Sequence, residues 1–259
     1  ILINAEQLKL ATESDSTALK LFKKIIKDGT NDINGKFDPN ESVCALLKER
    51  SDFIDQVLSA AWKLKIETEL LSLIAVGGYG RCELHPKSDI DLMIIQPWRI
   101  KPEIKTQIED FLRFLWDIGL EVGHSVRTVK DCVREAKADI TVATNIMESR
   151  LLIGREDLYL AMKKATGPNK IWPTRKFFES KWNEQINRHL RFNDTDHNLE
   201  PNIKEGPGGL RDIQMIGWVA KRHFNVQQLQ DLIEHKFLTQ EEYSLLDKSN
   251  EFLCRVRFA

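Results

Sequence analysis

Two short apolar runs limit what this chain can fold into more than any other feature. They are Leu70-Leu71-Ser72-Leu73-Ile74-Ala75-Val76 and Ile90-Asp91-Leu92-Met93-Ile94-Ile95. Each is too short for a helix and each is stopped by chain breakers, Gly77-Gly78 after the first and Pro97 after the second. Both therefore read as strands buried within a sheet.

Around these runs the apolar period is helical. Leu19, Phe22 and Ile26 share a face in Ser16 to Lys27, with Asp28-Gly29 expected to end that helix. Pro39 is expected to open a longer helix carrying Val43, Leu46, Leu47, Phe53, Ile54, Val57, Leu58 and Trp62. Ile104 to Ile118 reads as an amphipathic helix closed by Gly119, and Leu120 to Thr128 as a third strand. From Val129 onward apolar residues recur three and four apart, with breaks near Gly167-Pro168 and at Gly206-Pro207-Gly208-Gly209. The expected class is α+β: an N-terminal helical segment at 1–69, a small mixed-sheet unit at 70–150, and a helical domain at 151–259. The last helix reads as unfinished and the chain does not open on Met, so a longer polypeptide is expected.

Composition narrows the function classes. The 259 residues are 42% hydrophobic and 30% charged, the balance of a chain that buries a proper core. A net charge of -1 supplies no global field for nucleic acid or anionic membrane. No apolar run approaches a membrane span. The four cysteines, Cys44, Cys82, Cys132 and Cys254, form no CxxC pair, so a cytoplasmic setting is expected.

The chemistry lies between the two strands. Successive strand side chains alternate faces, so Asp89 and Asp91 project together while Ile90 and Leu92 point the other way. Adjacent carboxylates repel unless a cation sits between them, and hard oxygen donors without Cys or His select Mg²⁺ or Mn²⁺. Gly77-Gly78 directly after the first strand can bring backbone N–H groups up to an anion. Together these features describe a triphosphate site. A P-loop is excluded because Arg81-Cys82 follows the glycines where Lys-Ser/Thr is required. A dinucleotide fingerprint is excluded because Glu83 stands where its third glycine belongs.

Ten residues separate Gly78 from Asp89, and apolar residues flank both halves. This arrangement resembles the signature of the DNA polymerase β-like nucleotidyltransferase superfamily. The longer phrase from Gly77 to Leu92 resembles the transferase portion of the bifunctional uridylyltransferase/uridylyl-removing enzymes. So do Leu120 to Thr128, Asp139 to Asn145 and Asn198 to Ile213. Cys82 stands where that family has Gly.

The resemblance implies a mixed-sheet nucleotidyltransferase domain that transfers UMP from UTP to a tyrosine of the PII nitrogen-regulatory protein, releasing pyrophosphate. It implies Asp89 and Asp91 as metal ligands, and a third carboxylate on the next strand. Glu121 is expected there, on one face with Gly123 and Ser125, while His124, the rival general base, faces away. Arg81 and Lys87 are expected to pair with leaving phosphates, and Ser88 to donate a hydrogen bond to one. Lys204 and Arg211, flanking Gly206-Pro207-Gly208-Gly209 at the start of a helix, are expected to contact nucleotide or PII. Trp218, Val219 and Phe224 are expected in the core. The family's UMP-removing and glutamine-sensing domains are expected outside these residues, because none of the six histidines is followed by Asp. Two alternatives stand beside this reading: another protein-modifying nucleotidyltransferase, of the adenylylating type or a stand-alone signalling relative, and a catalytically silent nucleotide-binding domain.

Overall fold

The computed structural model describes residues 14–168, 170–192, 201–224, 226 and 229–259. Helices α1 (Asp15–Gly35) and α2 (Cys44–Lys65) lead into a four-stranded sheet of β1 (Ser72–Ala75), β2 (Ile90–Ile95), β3 (Val122–Arg127) and β4 (Arg150–Gly154). Its order is β3-β2-β1-β4, with β1 antiparallel to β2 and β4 and β2 parallel to β3. The expected α+β class and mixed sheet are both present.

Alternation along β1 and β2 builds two cores. Leu73, Ala75, Leu92 and Ile94 face α1, α2 and α4 (Pro102–Asp117), where Phe22, Val57, Leu58 and Phe111 are buried. Ile74, Met93 and Ile95 face α5 (Val129–Ala138), α6 (Ile140–Met147) and α7 (Glu156–Ala165), meeting Cys132, Ala143 and Met162. Covering both faces explains why these strands are continuous apolar runs.

Several boundaries differ from the sequence reading. Helix α1 continues through Gly29, where a Cβ would stand 2.4 Å from the Phe53 ring. Glycine there serves close helix packing, not helix termination. Helix α2 starts at Cys44 rather than Pro39. The Asp38 carboxylate accepts the Asn40 N–H at 2.8 Å and bends the chain between them. Strand β4 lies in a stretch read as helical, and it pairs with β1 across the expected 150/151 boundary. The 1–69 segment likewise shares the sheet's core through α1 and α2.

The remaining helices are α8 (Thr174–Arg191), α9 (Leu210–Phe224), α10 (Asp231–Glu234) and α11 (Gln240–Phe258). Helix α9 buries Met215 and Trp218 against Phe177 and Ile140. Helix α11 returns to the start of α2, where Cys254 and Phe258 pack on Val43, Leu47 and Leu210. Its Glu251 accepts the Val43 N–H at 2.8 Å and so caps α2 from a distant part of the chain. Asn198, Leu199 and Glu200 lie outside the described residues. Among the described residues no helix is long and apolar enough to cross a membrane.

Asp55 on α2 ties the helix layer to the sheet. Its carboxylate accepts from the Tyr79 hydroxyl and from both terminal nitrogens of Arg150 on β4. Burial and this neighbouring charge hold the Tyr79 hydroxyl well above its usual pKa. Asp55→Ala strands both donors, and a loss of about 2 kcal/mol in urea unfolding is expected; an unchanged midpoint would show the tie to be idle.

Candidate active site

Strand β1 ends at a single helical turn, α3 (Gly77–Gly80), which carries the chain away from the sheet before it returns on β2. Gly77 takes φ +59°, a left-handed conformation that glycine adopts without strain. A Cβ on it would lie 3.5 Å from Asp91 Oδ2 and 3.4 Å from Asn145 Oδ1. Across the sheet Asp91 pairs with Gly123, where a Cβ would lie only 2.7 Å from Asp91 Oδ1. Glycine on both sides is what gives the Asp91 carboxylate its room.

Gly77, Gly78, Arg81, Lys87, Ser88, Asp89, Asp91, Lys204 and Arg211 line one cleft, each of them expected from sequence. Asp89 is exposed and Asp91 half-buried. Burial, then the charge of Asp89, pushes the Asp91 carboxyl above its usual range, with Lys204 opposing. An anion held at a cost beside a second anion is a site that a cation stabilises. The donors are oxygens, which suits Mg²⁺ or Mn²⁺. Among the described residues no group of three His, Cys, Asp or Glu is placed to hold a metal.

Opposite the carboxylates stands a basic wall. Burial lowers the Lys204 pKa, and Arg211 and Arg257 lower it further. Arg257 donates to Ser88 Oγ at 3.1 Å. Below the loop, buried His85 is pushed down to about 3 by burial and by Arg257, Arg81 and Lys204, so it is neutral at physiological pH. Lys87 is exposed at φ +58°.

The structure qualifies the roles expected of three residues. The Arg81 guanidinium is engaged by Glu83 at 2.8 Å and by the buried Glu148, so its first role is to fix the glycine turn. Arg211 reaches Glu205 at 2.9 Å and Gln214 at 3.0 Å, and lies over the Trp218 ring. Glu121 directly precedes β3, where its carbonyl accepts the Ile90 N–H at 2.9 Å. It is exposed and is not among the residues lining the cleft. Alternation puts it on the same side as Gly123, hence on the Asp91 side. His124 pairs with Leu92 and sets its ring 5.5 Å from that of Trp116, facing away as expected.

The lining residues not assigned to the site from sequence include Asn145, Gln214, Trp218 and Arg257. Trp218 is core, as expected, and lines the cleft as well. Arg257 is more than 160 residues from Asp91, and no local spacing signals it.

The loop bearing Lys204 is pinned through Asp212. That carboxylate accepts from Arg188, from the Gly208 N–H at 2.8 Å, and meets His189 at 3.0 Å.

Gly80 sets how closely the turn approaches the sheet: a Cβ there would stand 1.9 Å from the Glu148 carbonyl oxygen and 3.1 Å from that of Ala75. Gly80→Ala must move backbone, and a loss of about 1–3 kcal/mol is expected from thermal melts. A variant that melts with wild type would show that the turn is not wedged.

A family model described as GlnD PII-uridylyltransferase matches residues 176–259. The bifunctional uridylyltransferase/uridylyl-removing enzyme of Hydrogenovibrio crunogenus is 46% identical over 250 residues, covering 95% of this chain and 28% of the relative. Those of Ectopseudomonas mendocina and Azotobacter vinelandii are 46% and 45% identical over 255 residues, each covering 98% of this chain and 28% of the relative. The chain spans about 28% of the length of these relatives. On a glycine turn, an Asp pair and this likeness along nearly its whole length, the chain belongs to the bifunctional uridylyltransferase/uridylyl-removing family.

Proposed function

We propose that this chain is the transferase portion of its family: a nucleotidyltransferase fold that moves UMP from UTP to a tyrosine of PII and releases pyrophosphate. The observation that carries the reading is the Asp89–Asp91 pair facing Lys204, Arg211 and Arg257 across one cleft. A triphosphate is an anion that needs both walls, cations for its oxygens and carboxylates for the metal that accompanies it.

The chain's own residues divide the work. Lys204, Arg211 and Arg257 hold phosphate oxygens, with Lys87 at the exposed rim. The glycine turn lets phosphate approach the backbone. Asp89 and Asp91 would hold Mg²⁺ or Mn²⁺, which supplies charge stabilisation at the reacting oxygens when bound. Glu121, on their side of the sheet, is the candidate third carboxylate and the base for the tyrosine hydroxyl.

Asp89→Asn or Asp91→Asn keeps shape and loses charge. Either is expected to cut magnesium-dependent pyrophosphate release, measured with UTP and PII, by about 10³-fold or more with the circular dichroism spectrum unchanged. Wild-type rates in both variants would remove the reading, and equal rates with ATP would favour an adenylylating enzyme.

Glu121→Gln is expected to lower the rate about 100-fold, with His124→Ala nearly silent. The reverse outcome would give the third role to His124.

A further inference from the structure

The cleft at Asp89 and Asp91 is walled largely by charge, which suits phosphates, and its two aromatic rings, Tyr79 and Trp218, are buried, the latter under Arg211. A second cavity adjoins it and shares Arg81, Glu83 and Gln214 with it. Its further walls are of another kind: Ile213, Gly217 and Leu229, then Tyr243, Leu246 and Asn250 from α11. Of its charged members Glu148 takes Arg81 and Lys221, Arg81 also takes Glu83, and Asp247 stands on the α11 wall. We propose that this cavity holds the nucleobase of the nucleotide whose triphosphate lies in the cleft, and that Gln214 selects uracil there. The proposal rests on the triphosphate reading and adds the base to it.

The hydrogen-bond inventory sets the selectivity. Arginine has only donors, so the Arg211 contact at 3.0 Å fixes Oε1 of Gln214 toward Arg211 and leaves its NH₂ to donate. Asn250 adds a second amide to the same cavity. The Gln214 NH₂ suits a carbonyl oxygen of uracil. Adenine carries no carbonyl, so this donor has only ring nitrogens to meet, beside an exocyclic amine. Apolar walls and the Tyr243 ring suit the faces of a base. Gly217 keeps the space open, since a Cβ there meets only Leu229 Cδ2, at 3.9 Å.

Calorimetric titration in Mg²⁺ with UTP, ATP and inorganic tripolyphosphate tests the assignment. Wild type is expected to bind UTP more tightly than either of the others. Gly217→Leu fills the cavity and is expected to weaken UTP at least tenfold, to the level of tripolyphosphate, which itself binds as before. Gln214→Glu replaces the donors with an acceptor and is expected to lower the UTP-to-ATP affinity ratio at least fivefold. A UTP advantage that survives Gly217→Leu, or an unchanged ratio in Gln214→Glu, overturns the base pocket. So does wild type binding UTP and tripolyphosphate equally, which leaves the triphosphate reading standing. Wild type that binds neither overturns both. Should Gly217→Leu lose tripolyphosphate through misfolding, the ratio in Gln214→Glu decides alone.

Discussion

Asp89 and Asp91 stand side by side at the start of β2, and Asp91 is drawn half out of water. Burial and its neighbour both resist its ionisation, so in isolation the arrangement costs free energy. Much of the surrounding structure is organised to keep that cost in place. Gly77 and Gly123 clear the space around the Asp91 oxygens. The Val76 N–H donates to the Asp91 carbonyl at 3.1 Å, tying the end of β1 to the residue that carries the charge. Apolar layers on both faces of β1 and β2 hold the strands that present it.

The opposite wall depends on parts of the chain far apart in sequence. Lys204 sits on a loop fixed through Asp212 to Arg188 and His189 of α8, and Arg257 arrives at the end of α11. Glu148, buried at the junction of α6 and β4, takes Arg81 from the glycine turn and Lys221 from α9. This one carboxylate joins the sheet layer to the later helices. The 151–259 helices therefore complete the cleft, and the site does not belong to the sheet alone.

What the sequence made legible follows from how local each signal is. The bounds of β2 and the side of β3 on which Gly123 meets Asp91 follow from alternation along single strands, and the sheet bears them out. Strand β4 was not legible because Leu151, Leu152 and Ile153 are too few to show a period between two helices. Gly29 carried the local look of a helix end, and only its distance to Phe53 reveals a packing role. Arg81 was expected to serve phosphate, yet its charge is engaged by Glu148, 67 residues on. Arg257 and Gln214 enter the cleft only through tertiary folding, which no spacing rule reports.

We propose that this Asp pair holds a divalent ion against a nucleoside triphosphate. Electron paramagnetic resonance of Mn²⁺ titrated onto the chain in the presence of UTP measures it directly. One tightly held ion per chain is expected, lost when Asp89 and Asp91 are both changed to Asn. Tight binding that persists in the double variant would contradict it.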